Sequence, residues 1–165
     1  MAWTAPKTWV VGEPMTAQDL NLHLRDNLLA LKAPPTALVK LDEASDYTTT
    51  STSFVAIDVT RLSLSITTTG GDVMIAFFAN FSNPTGHTQL DIEFDGSLMG
   101  GDNGLLRVTG GSGVGYVSAS LVTLKQTVSV GSHTIRMMWK TTTSTSTLYA
   151  GTTLDIHPMF WAREI

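Results

Sequence analysis

Between Asp72 and Phe81 the chain is apolar in both registers of an extended strand. Val73, Ile75, Phe77, Ala79 and Phe81 fall on one face, and Met74, Ala76 and Phe78 on the other. The uninterrupted apolar run from Val73 to Ala79 is far too short to span a bilayer. A strand with one face in water carries one apolar face, so this one requires cover on both sides. A second sheet covers only the inner face. The outer residues Met74, Ala76 and Phe78 are therefore expected either beneath an N-terminal helix or in a subunit interface.

The surrounding sequence agrees with a two-sheet arrangement. Leu62-Ser63-Leu64-Ser65-Ile66 and Leu90-Asp91-Ile92-Glu93-Phe94-Asp95 alternate apolar with polar residues, and turns rich in Gly, Asn and Asp separate such segments. Leu121–Val130 and His133–Lys140 read as a hairpin around Gly131, with Ile135, Met137 and Trp139 buried. Thr152–Ile156 and Met159–Ile165 read as closing strands. Only 15% of the 165 residues are charged and 42% are hydrophobic, enough for a packed core. The expectation is a mainly β chain: an N-terminal extended arm and one short α-helix, then an antiparallel jelly-roll-like β-sandwich of about eight strands. Its divisions are an anchoring arm and helix (1–33), a linker (34–53) with a polar Thr48–Ser53 tract, and a β-sandwich domain (54–165).

Residues 1–15 hold Trp3 and Trp9 with two prolines and a glycine, and lack any helical period. Each indole presents roughly 150–250 Å² that needs burial, against the chain's own β-domain or against a neighbour. Thr16 and Asp19 have capping-box spacing, and Met15 with Leu20 that of a hydrophobic staple. The helix they start ends near Lys32, before Ala33-Pro34-Pro35. Ala17, Leu20, Leu24, Leu28 and Leu31 recur at spacings of three and four and form one apolar stripe. That stripe packs on a core or forms a short parallel bundle with symmetry mates, Asn27 fixing the register.

The pattern Trp3, Pro6, Thr8-Trp9, Gly12-Glu13, Thr16-Ala17, Leu20-Asn21, Leu24-Arg25-Asp26-Asn27-Leu28 resembles the N-terminal segment of tailed-bacteriophage virion proteins, the small fibre, spike and decoration proteins of heads and tails. Gly131-Ser132-His133-Thr134-Ile135-Arg136, Trp139-Lys140 and the terminal Phe160-Trp161-Ala162-Arg163-Glu164-Ile165 resemble the jelly-roll-like domains that accompany that segment. The resemblance implies a non-enzymatic structural protein of the virion, assembled in the host cytoplasm. It also implies a homotrimer held to other capsid or tail proteins through its N-terminus. Trp3, Trp9, Leu20, Leu24, Asn27, Leu28 and Leu31 are the expected anchoring residues.

Other chemistries find little support in the residues. A net charge of -4 gives no basic footprint for nucleic acid, and no cysteine is present for a disulfide or thiolate metal site. The N-terminus lacks the features of a secretory signal, so a soluble, unprocessed chain is expected, without a membrane partner. Asp91, Glu93 and Asp95 share a strand face and invite comparison with a paired-carboxylate or Ca²⁺ site, but a solvated face is the expectation. Histidines 23, 87, 133 and 157 have no metal spacing, and there is no Gly-x-Ser-x-Gly elbow. Gly111-Ser112-Gly113-Val114-Gly115 lacks the strand and helix context of a nucleotide loop. No enzyme, metal or cofactor is expected. The alternative function is a host receptor- or glycan-binding adhesin using the Gly-rich and Thr-rich loops. Its candidate ligand residues are Asp102, Asn103, Tyr116 and Tyr149, the two tyrosines for stacking on sugars.

Overall fold

The computed structural model describes residues 4–42, 45–110, 115–151 and 157–165. Trp3, the segment 111–114 and the expected strand at 152–156 lie outside the described residues.

The helix begins where the capping box is. Thr16 Oγ1 accepts the Asp19 N–H at 3.1 Å, and the Asp19 carboxylate accepts the Thr16 N–H at 3.3 Å. From there α1 (Ala17–Leu20) leads into a π-helical stretch (Asn21–Asp26) and then α2 (Asn27–Lys32). The wider π turn advances fewer degrees per residue than an α turn, which keeps leucines four apart nearer one line. Pro34 and Pro35 stop the helix and direct the chain into the first strand.

Among the described residues twelve strands form two antiparallel six-stranded sheets packed as a sandwich. The first sheet runs β1 (Thr36–Lys40), β12 (Met159–Glu164), β5 (Gly71–Ser82), β11 (Ser146–Tyr149), β2 (Tyr47–Thr49), with β9 (Val117–Val128) along the other side of β5. The second is built on β10 (Gly131–Thr141) and β6 (His87–Phe94). β3 (Val55–Ala56) and β4 (Ser63–Thr68) flank β10, while β7 (Ser97–Leu98) and β8 (Leu106–Thr109) flank β6.

The core fills the space between the sheets. Val73, Ile75, Phe77 and Phe81 from the first sheet meet Leu90, Ile92, Ile135, Met137 and Trp139 from the second. Phe77 lies edge-on to Phe160 with centroids 5.9 Å apart, a geometry favoured by the ring quadrupoles. Leu62, Leu64 and Ile66 are buried and Ser63 and Ser65 are not, as their alternation requires.

Three expectations change. Residues 34–53 are not only a linker: Thr36–Lys40 pairs with the terminal strand and Tyr47–Thr49 with β11. Ala37 and Val39 point inward onto the core, giving β1 the alternation of a half-buried strand. These two strands and several short ones raise the number from about eight to twelve. β9 and β10 follow each other but form no hairpin; β9 pairs with β5, and β10 with β3, β4 and β6, so Ser129–Val130 crosses from one sheet to the other. The two-residue hairpin is instead Asp95-Gly96 between β6 and β7. Both residues have positive φ, 49° and 82°, the conformation a type I′ turn demands.

The two ends of the sandwich differ. At one, Glu164 N–H donates to Pro35 O and Ile165 N–H to Asp72 O, so the helix, the C-terminus and the start of β5 meet there. At the other, buried Asn83 ties the loops together. Its amide group reaches Thr141 Oγ1 at 2.8 Å, Ser146 Oγ at 2.9 Å and Thr143 O at 3.1 Å, and its oxygen accepts the Gly86 N–H at 2.8 Å. A Cβ on Gly86 would come within 2.5 Å of Thr143 O, which explains the glycine.

Candidate functional site: the N-terminal hairpin and the outer sheet face

The arm folds back along the helix rather than onto the sandwich. The Thr4 N–H donates to Asn27 Oδ1 and Asn27 Nδ2 donates to Thr4 O, both at 2.9 Å; a third contact joins Nδ2 to His23 O at 3.3 Å. Asn27 is thus buried and satisfied within its own chain. Its amide clasps the arm, whereas the sequence pattern suggested a register mark between helices. The return is closed by a turn at Val10–Glu13, with Gly12 at φ 86°. It is braced by Lys7, whose ammonium pairs with Glu13 at 2.6 Å and Asp19 at 3.2 Å and lies 4.6 Å from the Trp9 ring centre. The shared Lys7 raises its own pKa through hydrogen bonds to Glu13 and Asp19. Glu13 titrates below its ordinary range because it bonds Lys7, and Asp19 because it bonds Thr16 and then Lys7.

The other described members of the anchoring set are left open. Trp9, Leu20, Leu24, Leu28 and Leu31 are all exposed, as are Leu22 and Leu29. At its C-terminal end the helix approaches the sandwich, where Ala30, Leu31, Pro34, Pro35, Met74 and Ile165 contribute to a cleft of about 470 Å³.

The outer face of the first sheet is read from its registers. One row runs Leu38–Trp161–Ala76–Val122, the next Thr36–Arg163–Met74–Leu124, the next Lys40–Met159–Phe78–Ser120. Leu38 is 60%, Val122 57% and Phe78 36% exposed, while Ala76, between Trp161 and Val122, is fully buried. Both faces of β5 are apolar as its sequence required, and the helix does not cover the outer one. Met74, Ala76 and Phe78 therefore belong to a larger apolar surface to which Leu38, Met159, Trp161, Val122 and Leu124 contribute. These five were missed because only the register aligns them. Val122 and Leu124, outward on a strand whose inward Ala119 and Leu121 are buried, carried a legible signal.

Farther along the same face the composition turns polar. The next row is Tyr149–Asn80–Ser118, with Ser82 beyond it. Tyr116 stands edge-on to Tyr149 at 5.6 Å, and the Tyr149 hydroxyl donates to Ser82 Oγ at 3.0 Å. Asp102 and Asn103 are not part of this group. They sit in the 3₁₀ turn Gly101–Asn103 over the second sheet, where their carbonyls accept hydrogen bonds from Lys140 Nζ and Gln89 Nε2.

The three carboxylates do not share a solvated face. Asp91 is buried, its Oδ1 accepting the Ile92 and Gly100 N–H groups while Oδ2 has no partner among the described residues, and burial pushes its carboxyl up. Glu93 pairs with Arg136 across the strands at 2.8 Å. Asp95 sits in the turn and accepts from His133 Nδ1 at 2.7 Å and from the Thr134 N–H at 2.8 Å. Held by separate partners, they offer no joint acid–base pair. Among the described residues no three His, Asp or Glu side chains stand close enough to hold a metal, and no helix is long and apolar enough to cross a membrane.

No protein-family model matches this sequence, and no curated protein matches it.

Proposed function

We propose that the chain is a non-enzymatic structural protein of a tailed-bacteriophage particle. Its sandwich is of jelly-roll type, the N-terminal arm and helix fix it to other virion proteins, and the sandwiches associate as a homotrimer through the outer face of the first sheet. One observation carries this reading: a sandwich with a complete core bears two uncovered apolar surfaces, the leucine stripe of the helix and the outer sheet face around Leu38, Phe78 and Val122. Monomers rarely leave a contiguous apolar patch of this kind in water. The two surfaces call for partners of different kinds, and the resemblance of the N-terminal segment to virion proteins supplies one. The experiment is particle assembly with the chain lacking residues 1–32. A folded domain that no longer joins the particle supports the anchor, and undiminished incorporation overturns it.

Recognition of a host-surface receptor or glycan is a second reading, favoured by the Tyr116–Tyr149 pair at the end of the sandwich opposite the helix. Binding of the full chain to host cells tests it.

A further inference from the structure

We infer that the polar half of the outer sheet face, bordered by Phe78, Asn80, Ser118, Ser120 and His157, is a binding site for a neutral saccharide. The site rests on the second reading above, but lies on the sheet and not in the loops. A hollow of about 450 Å³ opens there, within the usual range of small-ligand sites.

Its chemistry selects the ligand. The Phe78 ring is partly exposed at one border and gives the hollow an apolar face. Beside it the polar groups keep unused hydrogen-bonding capacity. Ser118 Oγ donates to Asn80 Oδ1 at 2.6 Å, which orients the Asn80 amide, while its NH₂ group and the Ser120 hydroxyl make no hydrogen bond among the described residues. An oriented donor pair and a free hydroxyl beside an aromatic ring match a pyranose, which presents a C–H face and a rim of hydroxyls. An apolar ligand would leave these groups dry and unpaired, which disfavours it. Among the described residues no Asp, Glu, Lys or Arg lines the hollow and His157 is its one titratable group, so a phosphate, sulfate or carboxylate ligand finds no permanent countercharge there. Peptide recognition by strand addition is closed to β5, which is paired on both sides in this stretch.

The test is an amide-resolved NMR titration of the full chain with the methyl glycosides of glucose, galactose, mannose and N-acetylglucosamine. Glucuronate and glucose 6-phosphate serve as charged comparisons. The expected result is saturable shifts at Phe78, Asn80, Ser118 and Ser120 with at least one neutral glycoside, at a Kd on the order of 1–10 mM for a single sugar unit. Ser120→Trp fills the hollow from an exposed position and should abolish them; Asn80→Ala should weaken binding by about fivefold or more. Absence of shifts with every neutral glycoside at about ten times that Kd range, equal shifts in Ser120→Trp, or tighter binding of the charged sugars would overturn the assignment. Cell binding that persists in Ser120→Trp would leave the second reading standing while removing this site from it.

Discussion

Asn27 and Thr4, 23 residues apart, meet through two reciprocal hydrogen bonds of 2.9 Å, so that one side-chain amide imitates a strand pairing with the arm. Replacing Asn27 by Ala removes both, and Asn27→Asp keeps the acceptor while losing both donations. Each should release the arm and speed hydrogen exchange of the Thr4 amide by about tenfold, one to two hydrogen bonds' worth. Melting of the sandwich should not move, because its core residues do not include the helix. Unchanged exchange at Thr4 in Asn27→Ala would show the clasp to be unimportant.

Asn83 holds the loop end by a different logic, since its partners Thr141 and Ser146 are themselves buried. Asn83→Ala strands these groups and the Gly86 N–H without water. The expected loss is about 2–4 kcal/mol, a fall in Tm on the order of 5–15 °C by calorimetry. A Tm within a degree or two of wild type would mean that water replaces the amide.

The inward faces of the sandwich were legible because burial between two sheets imposes a period of two, and Leu62–Ile66 and Leu90–Phe94 obey it. The helix start was legible for a local reason, the reciprocal bonds of Thr16 and Asp19. What the sequence could not reveal was pairing. β9 and β10 look like a hairpin around Gly131, yet sheet membership is decided by which long strands share a core, and no local signal encodes that. Asp95-Gly96, a strong two-residue turn signal, was obscured because Asp95 seemed to extend an alternating strand. The outer apolar surface was half visible: β5 announced it, but Leu38, Trp161 and Val122 join it only through register. Asn27 shows the limit most plainly, since its partner is a backbone group whose identity leaves no mark on the sequence.

His133 should make stability depend on pH. Its two ring nitrogens face pure acceptors, Asp95 Oδ2 at 2.7 Å and Ser129 O at 2.9 Å, so the doubly protonated imidazolium satisfies both. The Asp95 bond first, and the Ser129 carbonyl second, raise the His133 pKa, against the opposing effect of burial. Burial works to raise the Asp95 carboxyl, and its bonds from His133 and the Thr134 N–H together hold it below the ordinary range. A raised histidine contributes fully below its unfolded pKa of about 6.5 and loses that contribution as pH rises through the folded value. The lowered carboxylate contributes above about 3.9 and is lost as pH falls through its own folded value. The urea-midpoint advantage of wild type over His133→Gln should therefore peak in mildly acidic solution and shrink towards alkaline pH. A difference constant from pH 5 to pH 9 would contradict a charged His133.

The outer rows of the first sheet make the most consequential prediction. Leu38 and Val122 are both more than half exposed in a single chain, so replacing either by Glu adds little strain to the isolated sandwich. In an assembly through this face the same carboxylate would be forced into an apolar contact without a partner. Leu38→Glu and Val122→Glu should each shift the chain from trimer to monomer in light scattering at micromolar concentration. Each should weaken association by tenfold or more, about 1.4 kcal/mol. Gln126→Glu, on the same strand and outward but beyond the Leu124 row, should leave the mass unchanged. Disassembly by Gln126→Glu alone, or a trimer that survives both substitutions in the rows, would place the interface elsewhere. A monomeric wild-type chain would remove it altogether. Thermal unfolding of the monomeric variants separates the two effects: a sandwich that melts with wild-type cooperativity but without its concentration dependence has lost its neighbour and kept its core.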